Sequence, residues 1–178
     1  MPRAVLVADD FDPIPSVART TAVRLESAES VPADTEVVGV PVTTTGDVNP
    51  LLGLDREALA SAGFEAGLSQ TLLVPPANGP VLVAVGLGDP RVLTPAGARD
   101  AAAAFAAVTT RYAQLAVVLG PGGDDPAALA QAIVEGILLT RYRYDPLKTG
   151  DKDPVIASIT FVAPAERHAA IGAGAERG

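Results

Sequence analysis

Short apolar runs alternate with two amphipathic stretches along most of the chain. Runs of this length that are bounded by turn residues are typical of strands in a buried sheet. They predict strands at residues 35–40, 71–74, 80–85, 115–119 and 155–162, and the weaker alternation at 22–26 predicts an edge strand. Residues 5–8 could add a short strand, but the Asp and Pro residues that follow break any regular structure.

Three capping signals mark the points where helices begin. Asp55 precedes a short helical stretch, Thr94 stands directly before Pro95, and Asp125 stands directly before Pro126. A Ser, Thr or Asp side chain at this position accepts a hydrogen bond from a free N–H of the first turn, and Pro suits the first helical position. We therefore expect helices to begin after each of the three capping residues.

The two longer helices carry apolar stripes at helical spacing. In the first, residues recur at intervals of three and four, which predicts one face buried against a sheet: Ala98, Ala101, Phe105, Val108 and Tyr112. In the second, the stripe consists of Leu129, Ile133 and Ile137. We expect both helices to bury these faces.

The order of elements predicts an α/β fold. From residue 71 the pattern is strand, strand, helix, strand, helix, strand, which favours a mainly parallel or mixed sheet flanked by helices. We expect residues 1–20 to be an N-terminal extension and residues 21–163 to form the domain. Residues 164–178 are interpreted as a linker or the first turn of a helix.

Composition narrows the class of partners. The chain has 178 residues, a net charge of −8 and no cysteine, so disulfides, thiolate metal sites and cysteine nucleophiles are excluded. An acidic chain repels phosphate backbones and anionic lipids, so we expect no nucleic-acid or membrane partner. No secretory signal or membrane-spanning run is recognisable, and a cytoplasmic location is expected.

Two glycine-rich turns follow predicted strands. The turn at residues 120–124 (GPGGD) leads into a helix, a geometry that can hold a phosphate, but Asp124 and Asp125 place negative charge where the phosphate would lie. The turn at residues 86–88 (GLG) is a lone G-x-G before Asp89 and Pro90, and a simple turn explains it better than a ligand site.

The remaining candidate chemistry is sparse. His168 is the only histidine, and no H-E-x-x-H arrangement accompanies it, so a solvated surface side chain is the favoured interpretation. Asp9, Asp10 and Asp12 lack the spacing of a calcium-binding loop and are interpreted as a solvated charge cluster. We assign no catalytic, cofactor-binding or metal-binding residue.

One segment resembles a known family. Residues 135–145 (EGILLTRYRYD), followed by Lys148 and Thr149, resemble the pattern E-G-x-x-L-x-x-Y-R-(F/Y)-D and K-(S/T) of the N-terminal domain of leucyl (cytosol) aminopeptidases. Residues 35–40 and 83–88 resemble two further strands of that domain, in the same order. The favoured role of residues 135–145, called the marker segment below, is structural. Tyr142, Arg143 and Tyr144 would pack the helix end, and Asp145 would pair with a basic neighbour.

The resemblance implies a three-layer, macro-domain-like fold that precedes a catalytic domain. In the family that second domain holds two divalent metal ions, zinc or manganese, and removes N-terminal residues from peptides. Its signatures, similar to N-T-D-A-E-G-R-L and K-G followed by F-D-S-G-G, do not occur in this sequence. We therefore expect a non-catalytic domain that ends before the catalytic one, takes part in subunit assembly and belongs to a homohexamer.

A binding module is the alternative. A stand-alone macro-type domain would recognise an ADP-ribose-like ligand, but it needs a phosphate loop and a strand end resembling V-N-A-A-N. Val48, Asn49 and Pro50 are a poor substitute for that strand end. Residues 1–20 and the loop at 43–54 are the parts that depart most from the family pattern.

Overall fold

A mixed sheet forms the centre of the computed structural model, which describes residues 23–76, 78–120, 125–142 and 154–178. Within these residues the strand order is β1-β6-β5-β2-β4-β3. The strands are β1 (Arg24–Ala28), β2 (Val37–Val42), β3 (Thr71–Val74), β4 (Val81–Gly86), β5 (Gln114–Val118) and β6 (Ser158–Val162). All neighbouring pairs are parallel except β3 and β4. The predicted mixed sheet is confirmed, and the candidate strand at residues 5–8 lies outside the described residues.

Four α-helices flank the sheet in the described residues: α1 (Arg56–Ser61), α2 (Pro95–Val108), α3 (Pro126–Arg141) and α4 (His168–Ala175). The three predicted caps are confirmed. The side chain of Asp55 accepts a hydrogen bond from the N–H of Ala58, Thr94 from Gly97, and Asp125 from Ala128. Short 3-10 turns precede α1, α2 and α4, at Pro50–Leu52, Pro90–Val92 and Ala165–Arg167.

The two faces of the sheet bury separate hydrophobic clusters, because side chains alternate across a strand. On one face, Val37 packs with α2, α3 and α4. On the other, Val38 and Val40 pack with α1 and the loops around it, including Leu59 and Phe64. The result is a three-layer α/β arrangement, as the family resemblance implies.

The stripe on α2 is confirmed at its centre and wrong at one end. Phe105 is 1% exposed and fills space that Gly39 leaves open on β2, since a Cβ atom at Gly39 would lie 3.3 Å from the Phe105 ring. Val108, however, is 37% exposed. The buried face also includes Ala102, Ala106 and Thr109, so the helix is rotated toward them and Val108 lies at the edge of the contact.

The C-terminal residues fold onto the domain. Residues 164–178 are predicted as a linker or the first turn of a helix, and the structure places a 3-10 turn and then α4 there. Ile171 and Ala175 are buried in the same cluster as Phe105. Gly174 lies so close to the backbone of Ala127 that a side chain would not fit between α4 and α3. These residues therefore form part of the helical layer, whereas a domain boundary at 163 and 164 stays a prediction.

Candidate functional site

The carboxyl ends of five parallel strands meet at one edge of the sheet. Among them β2 and β5 are neighbours whose chains leave in opposite directions, β2 toward α1 and β5 toward α3. In open α/β sheets a ligand binds in the crevice that such a divergence creates. This carboxyl edge is therefore the place where a ligand site is expected, and the turn at residues 86–88 and Gly120 both follow strands that end there.

The turn after β4 is held by backbone contacts. The N–H of Thr44 donates to the Gly88 carbonyl at 2.9 Å, and the N–H of Leu87 donates to the Val42 carbonyl. Gly88 has a φ of +71°, and a side chain on Gly86 would collide with the backbone of Gly67. The two glycines are thus required by a left-handed turn and a close chain crossing, which supports the interpretation of G-x-G as a simple turn.

The acidic residue beside this turn pairs with its neighbour. Asp89 accepts hydrogen bonds from the backbone N–H and the guanidinium of Arg91, with Nη2 at 2.6 Å. The Arg91 side chain, and then its backbone N–H, lower the pKa of the Asp89 carboxyl below its usual range. A carboxylate engaged in this way serves as the cap of a 3-10 turn.

The turn after β5 leads to the amino end of α3. Residues 121–124 lie outside the described residues, and Gly120 ends the described part of the loop. Asp125 Oδ1 accepts from the N–H of Ala128 at 2.9 Å, so a carboxylate already occupies the helix end where an anion would bind. Arg167 Nη1 donates to the Gly120 carbonyl at 2.7 Å, and its Nη2 atom is buried without a hydrogen-bond partner among the described residues.

His168 lies at the start of α4 and is half-buried. Its Nε2 atom is 2.8 Å from the Ala163 carbonyl, a contact that ties α4 to the end of β6. The sequence predicts that His168 is a solvated surface side chain, whereas the structure shows it half-buried with this backbone partner. Asp9, Asp10 and Asp12 lie outside the described residues.

The described residues contain no group of three or more His, Cys, Asp or Glu side chains that could hold a metal ion. Within the same residues, none of the helices is long and apolar enough to cross a membrane. At the carboxyl edge, Asp89 bonds to Arg91, Asp125 bonds to the backbone of α3, and Arg167 bonds through Nη1 to the Gly120 carbonyl.

The segment from Glu135 to Tyr142 joins the two longest helices. Glu135 accepts a hydrogen bond from Arg99 at 3.0 Å and another from Gln131 at 2.9 Å. The Gln131 amide, and then the Arg99 guanidinium, lower the pKa of the Glu135 carboxyl below its usual value. Gly136 allows α3 to approach α2 closely, because a side chain there would collide with the Arg99 carbonyl and crowd Ala102.

The guanidinium of Arg141 joins three separate segments. Nη1 donates to the Thr109 carbonyl at 2.9 Å, at the end of α2, and Nη2 donates to the carbonyls of Thr110 and Tyr112 at 2.7 and 3.1 Å. Nη2 also donates to the Pro154 carbonyl at 2.9 Å, ahead of β6. The sequence suggested Arg143, which lies outside the described residues, as the cation that suits the helix end. Arg141 instead binds the carbonyls of the turn that follows α2.

Comparison with known proteins decides the family. The model of the cytosol aminopeptidase family, N-terminal domain, matches residues 50–151, which is more than half of the chain. The chain belongs to this family. No curated protein matches the chain. The matched range includes β3, β4, β5, α2 and α3, together with the segment that carries the sequence resemblance.

Solved structures of whole enzymes contain a similar unit. The bottromycin maturation enzyme BotP, solved in complex with Mn, is 30% identical, with a TM-score of 0.60. The match covers 80% of this chain and 30% of BotP. A tomato leucine aminopeptidase mutant has the same fold, with a TM-score of 0.67 at 16% identity, over 86% of this chain and 35% of that one. The chain thus spans about a third of the length of these enzymes.

The described part of the marker segment, residues 135–142, makes contacts that hold the helices together. Glu135 and Gly136 hold α3 close to α2, and Arg141 joins α3 to the segments just ahead of β5 and β6. Sequence reasoning gave the segment this general role without identifying the individual contacts. The sequence signal for these contacts is a glycine, Gly136, that lies between the polar residues Glu135 and Arg141 on a mostly apolar helix.

Proposed function

We propose that this chain is the non-catalytic N-terminal domain of a leucyl aminopeptidase, an enzyme that removes N-terminal residues from peptides. The observation that carries the proposal is the family match over residues 50–151, in a chain that covers only about a third of the similar enzymes. The described polar side chains support it, because they bond to backbone and to one another and leave no converging set of carboxylates.

The metal chemistry of the proposed parent enzyme belongs to another part of it. Two divalent ions, zinc or manganese, would supply a metal-bound water and polarise the peptide carbonyl there. The similar enzyme BotP was solved in complex with Mn, and this supports metal-dependent chemistry in the proposed parent enzyme. We assign none of this chain's residues to the ions, and the chain's proposed contribution is to shape and assemble the enzyme.

We further propose that the domain functions in a cytoplasmic homo-oligomer, a hexamer in the family, in contact with its own catalytic domain. The net charge of −8 disfavours binding to nucleic acid and to anionic membranes, because both are negatively charged. The proposed organisation is an extension at residues 1–20, the domain at residues 21–163 and a connection at residues 164–178 that includes α4.

The alternative is a macro-type module that binds an ADP-ribose-like ligand at the carboxyl edge. The unpartnered Nη2 atom of Arg167 beside Gly120 is the observation that favours it. Against it, the Asp125 carboxylate already accepts an N–H at the amino end of α3, and a phosphate placed there would meet its negative charge.

Titration calorimetry separates the two proposals. We expect ADP-ribose to give no binding heat up to about 1 mM, which corresponds to an affinity weaker than about −4.1 kcal/mol. Manganese or zinc titrated into the same protein is expected to bind no more tightly, because the described residues offer no set of ligands. A micromolar dissociation constant for ADP-ribose would favour the macro-type module, and one for a metal would contradict the accessory role.

A further inference from the structure

The outer edge of β3 carries no charged side chain. Residues 66–88 contain no Asp, Glu, Lys, Arg or His, although charged residues make up 19% of the chain. This is expected for β4, which lies inside the sheet, but β3 ends the sheet in the described part of the chain. The opposite edge strand, β1, carries Arg24 and Glu26, both exposed. Proteins commonly protect free edges with charge, so the β3 edge lacks a protection that the β1 edge has.

The hydrogen bonds before β3 identify which of its backbone groups are free. Ser69, with a φ of 64°, donates its N–H to the Gly86 carbonyl, and the Gly86 N–H donates to the Gln70 carbonyl at 2.8 Å. Bonded and non-bonded pairs alternate along an antiparallel ladder. Thr71 and Leu73 therefore direct their N–H and C=O groups away from β4, toward the free edge.

One exposed apolar side chain lies on the strand beside these free groups. Leu73 is 39% exposed, whereas Leu68, which is 50% exposed, lies ahead of the strand near Gly88 and Gly97. Gln70 fixes the loop ahead of β3, because its side chain accepts from the N–H of Glu65 and donates to the Gly63 carbonyl. Among the described residues, the edge is thus an uncharged strand whose outward backbone groups have no strand partner and which carries one exposed leucine.

We propose that a second copy of this chain adds its own β3 to this edge, in antiparallel pairing about a twofold axis. The inference rests on the proposed role in assembly. In the register that matches the free groups, Thr71 of one copy lies opposite Leu73 of the other, and Leu72 lies opposite Leu72. Two copies that each carry a net charge of −8 repel one another, and an uncharged edge allows them to meet without opposing like charges.

The proposed contact is small, because Pro75 and Pro76 follow the strand and cannot extend the ladder. It therefore predicts weak association of the isolated chain, measurable by sedimentation equilibrium at about 0.1–1 mM protein. Leu73→Lys is expected to weaken that association by at least roughly tenfold, since an edge lysine opposes strand addition. Leu139→Lys is the matched control: it removes an equally large side chain, 71% exposed, on α3 and is expected to change nothing.

A cross-linking experiment reads the register directly. Because the chain has no cysteine, Leu72→Cys introduces a single thiol on the twofold axis. Non-bonded antiparallel pairs have Cα atoms about 4.5 Å apart, within the range that a disulfide spans. Leu72→Cys is expected to form a disulfide-linked dimer under mild oxidation much faster than Leu139→Cys, which reports random collisions.

The outcomes separate this inference from the assembly role. Weaker association of Leu73→Lys together with rapid linkage of Leu72→Cys supports the β3 pairing. A wild-type chain that associates, with neither variant differing from its control, overturns the pairing and leaves the assembly role standing. A wild-type chain that stays monomeric, with no linkage above the control, overturns both and leaves the edge to another occupant, such as the remainder of a longer chain.

Discussion

Phe105→Ala is expected to lower the free energy of unfolding by about 3–5 kcal/mol. The ring is 1% exposed, and it packs against the backbone of β2 at Gly39 and within the cluster that joins α2, α3 and α4 to the sheet. Neither a glycine nor the rigid strand beside it can move to refill the space, so most of the cavity should remain. Urea denaturation followed by circular dichroism measures the change.

Val108→Ala is the matched control for this cavity. It lies one turn further along α2 and is 37% exposed, so its loss should cost well under the Phe105 value, about 1 kcal/mol or less. Equal losses at the two positions would contradict the orientation of α2 described above. An unchanged denaturation midpoint for Phe105→Ala would show that the ring does not belong to the core.

Gly136→Ala is expected to destabilise the domain by about 1–3 kcal/mol, because it overpacks the contact between α3 and α2. Helix propensity alone predicts the opposite sign, a gain of about 1 kcal/mol. The difference arises because the added methyl group would collide with the Arg99 carbonyl and lie 3.1 Å from the Ala102 Cβ atom. Thermal unfolding by calorimetry decides the sign.

Gly172→Ala provides the comparison within another helix. Gly172 lies in α4, and a Cβ atom placed there meets nothing within 4 Å. Its substitution should therefore show the propensity gain without the collision and leave the domain as stable or slightly more stable. If both substitutions stabilise the domain, the helices can separate freely, and the structural role proposed for the family marker segment is wrong.

Local signals in the sequence predicted most elements of this fold. Each of the three capping residues begins a helix where expected, because an N-cap depends only on its own side chain and the next turn. The strands follow from short apolar runs, although β6 begins at Ser158, later than the run that suggested it. Strand order could not be predicted, since β1 pairs with β6 across more than a hundred residues and no local pattern specifies that partner.

The contacts of the marker segment were less predictable, because they join residues distant in sequence. Arg141 donates to carbonyls whose positions depend on how α2 ends and where β6 begins. The apolar stripe predicted which face of α2 is buried. The buried face is centred about one residue position away from that stripe, so Val108 lies at its edge. The negative charge at the amino end of α3 was predictable, since Asp125 is adjacent to the glycine-rich turn in the sequence.

Hydrolysis of a leucine anilide by the purified chain tests the central claim, that this domain supports an aminopeptidase without carrying its active site. With excess manganese or zinc, we expect no release of the chromophore above the rate without protein, because two-metal hydrolysis needs several converging ligands. The described residues provide no group of three such side chains. An unrelated protein purified in the same way controls for contaminating host aminopeptidase. Turnover that co-purifies with this chain, disappears with a chelator and returns with added metal would contradict the account.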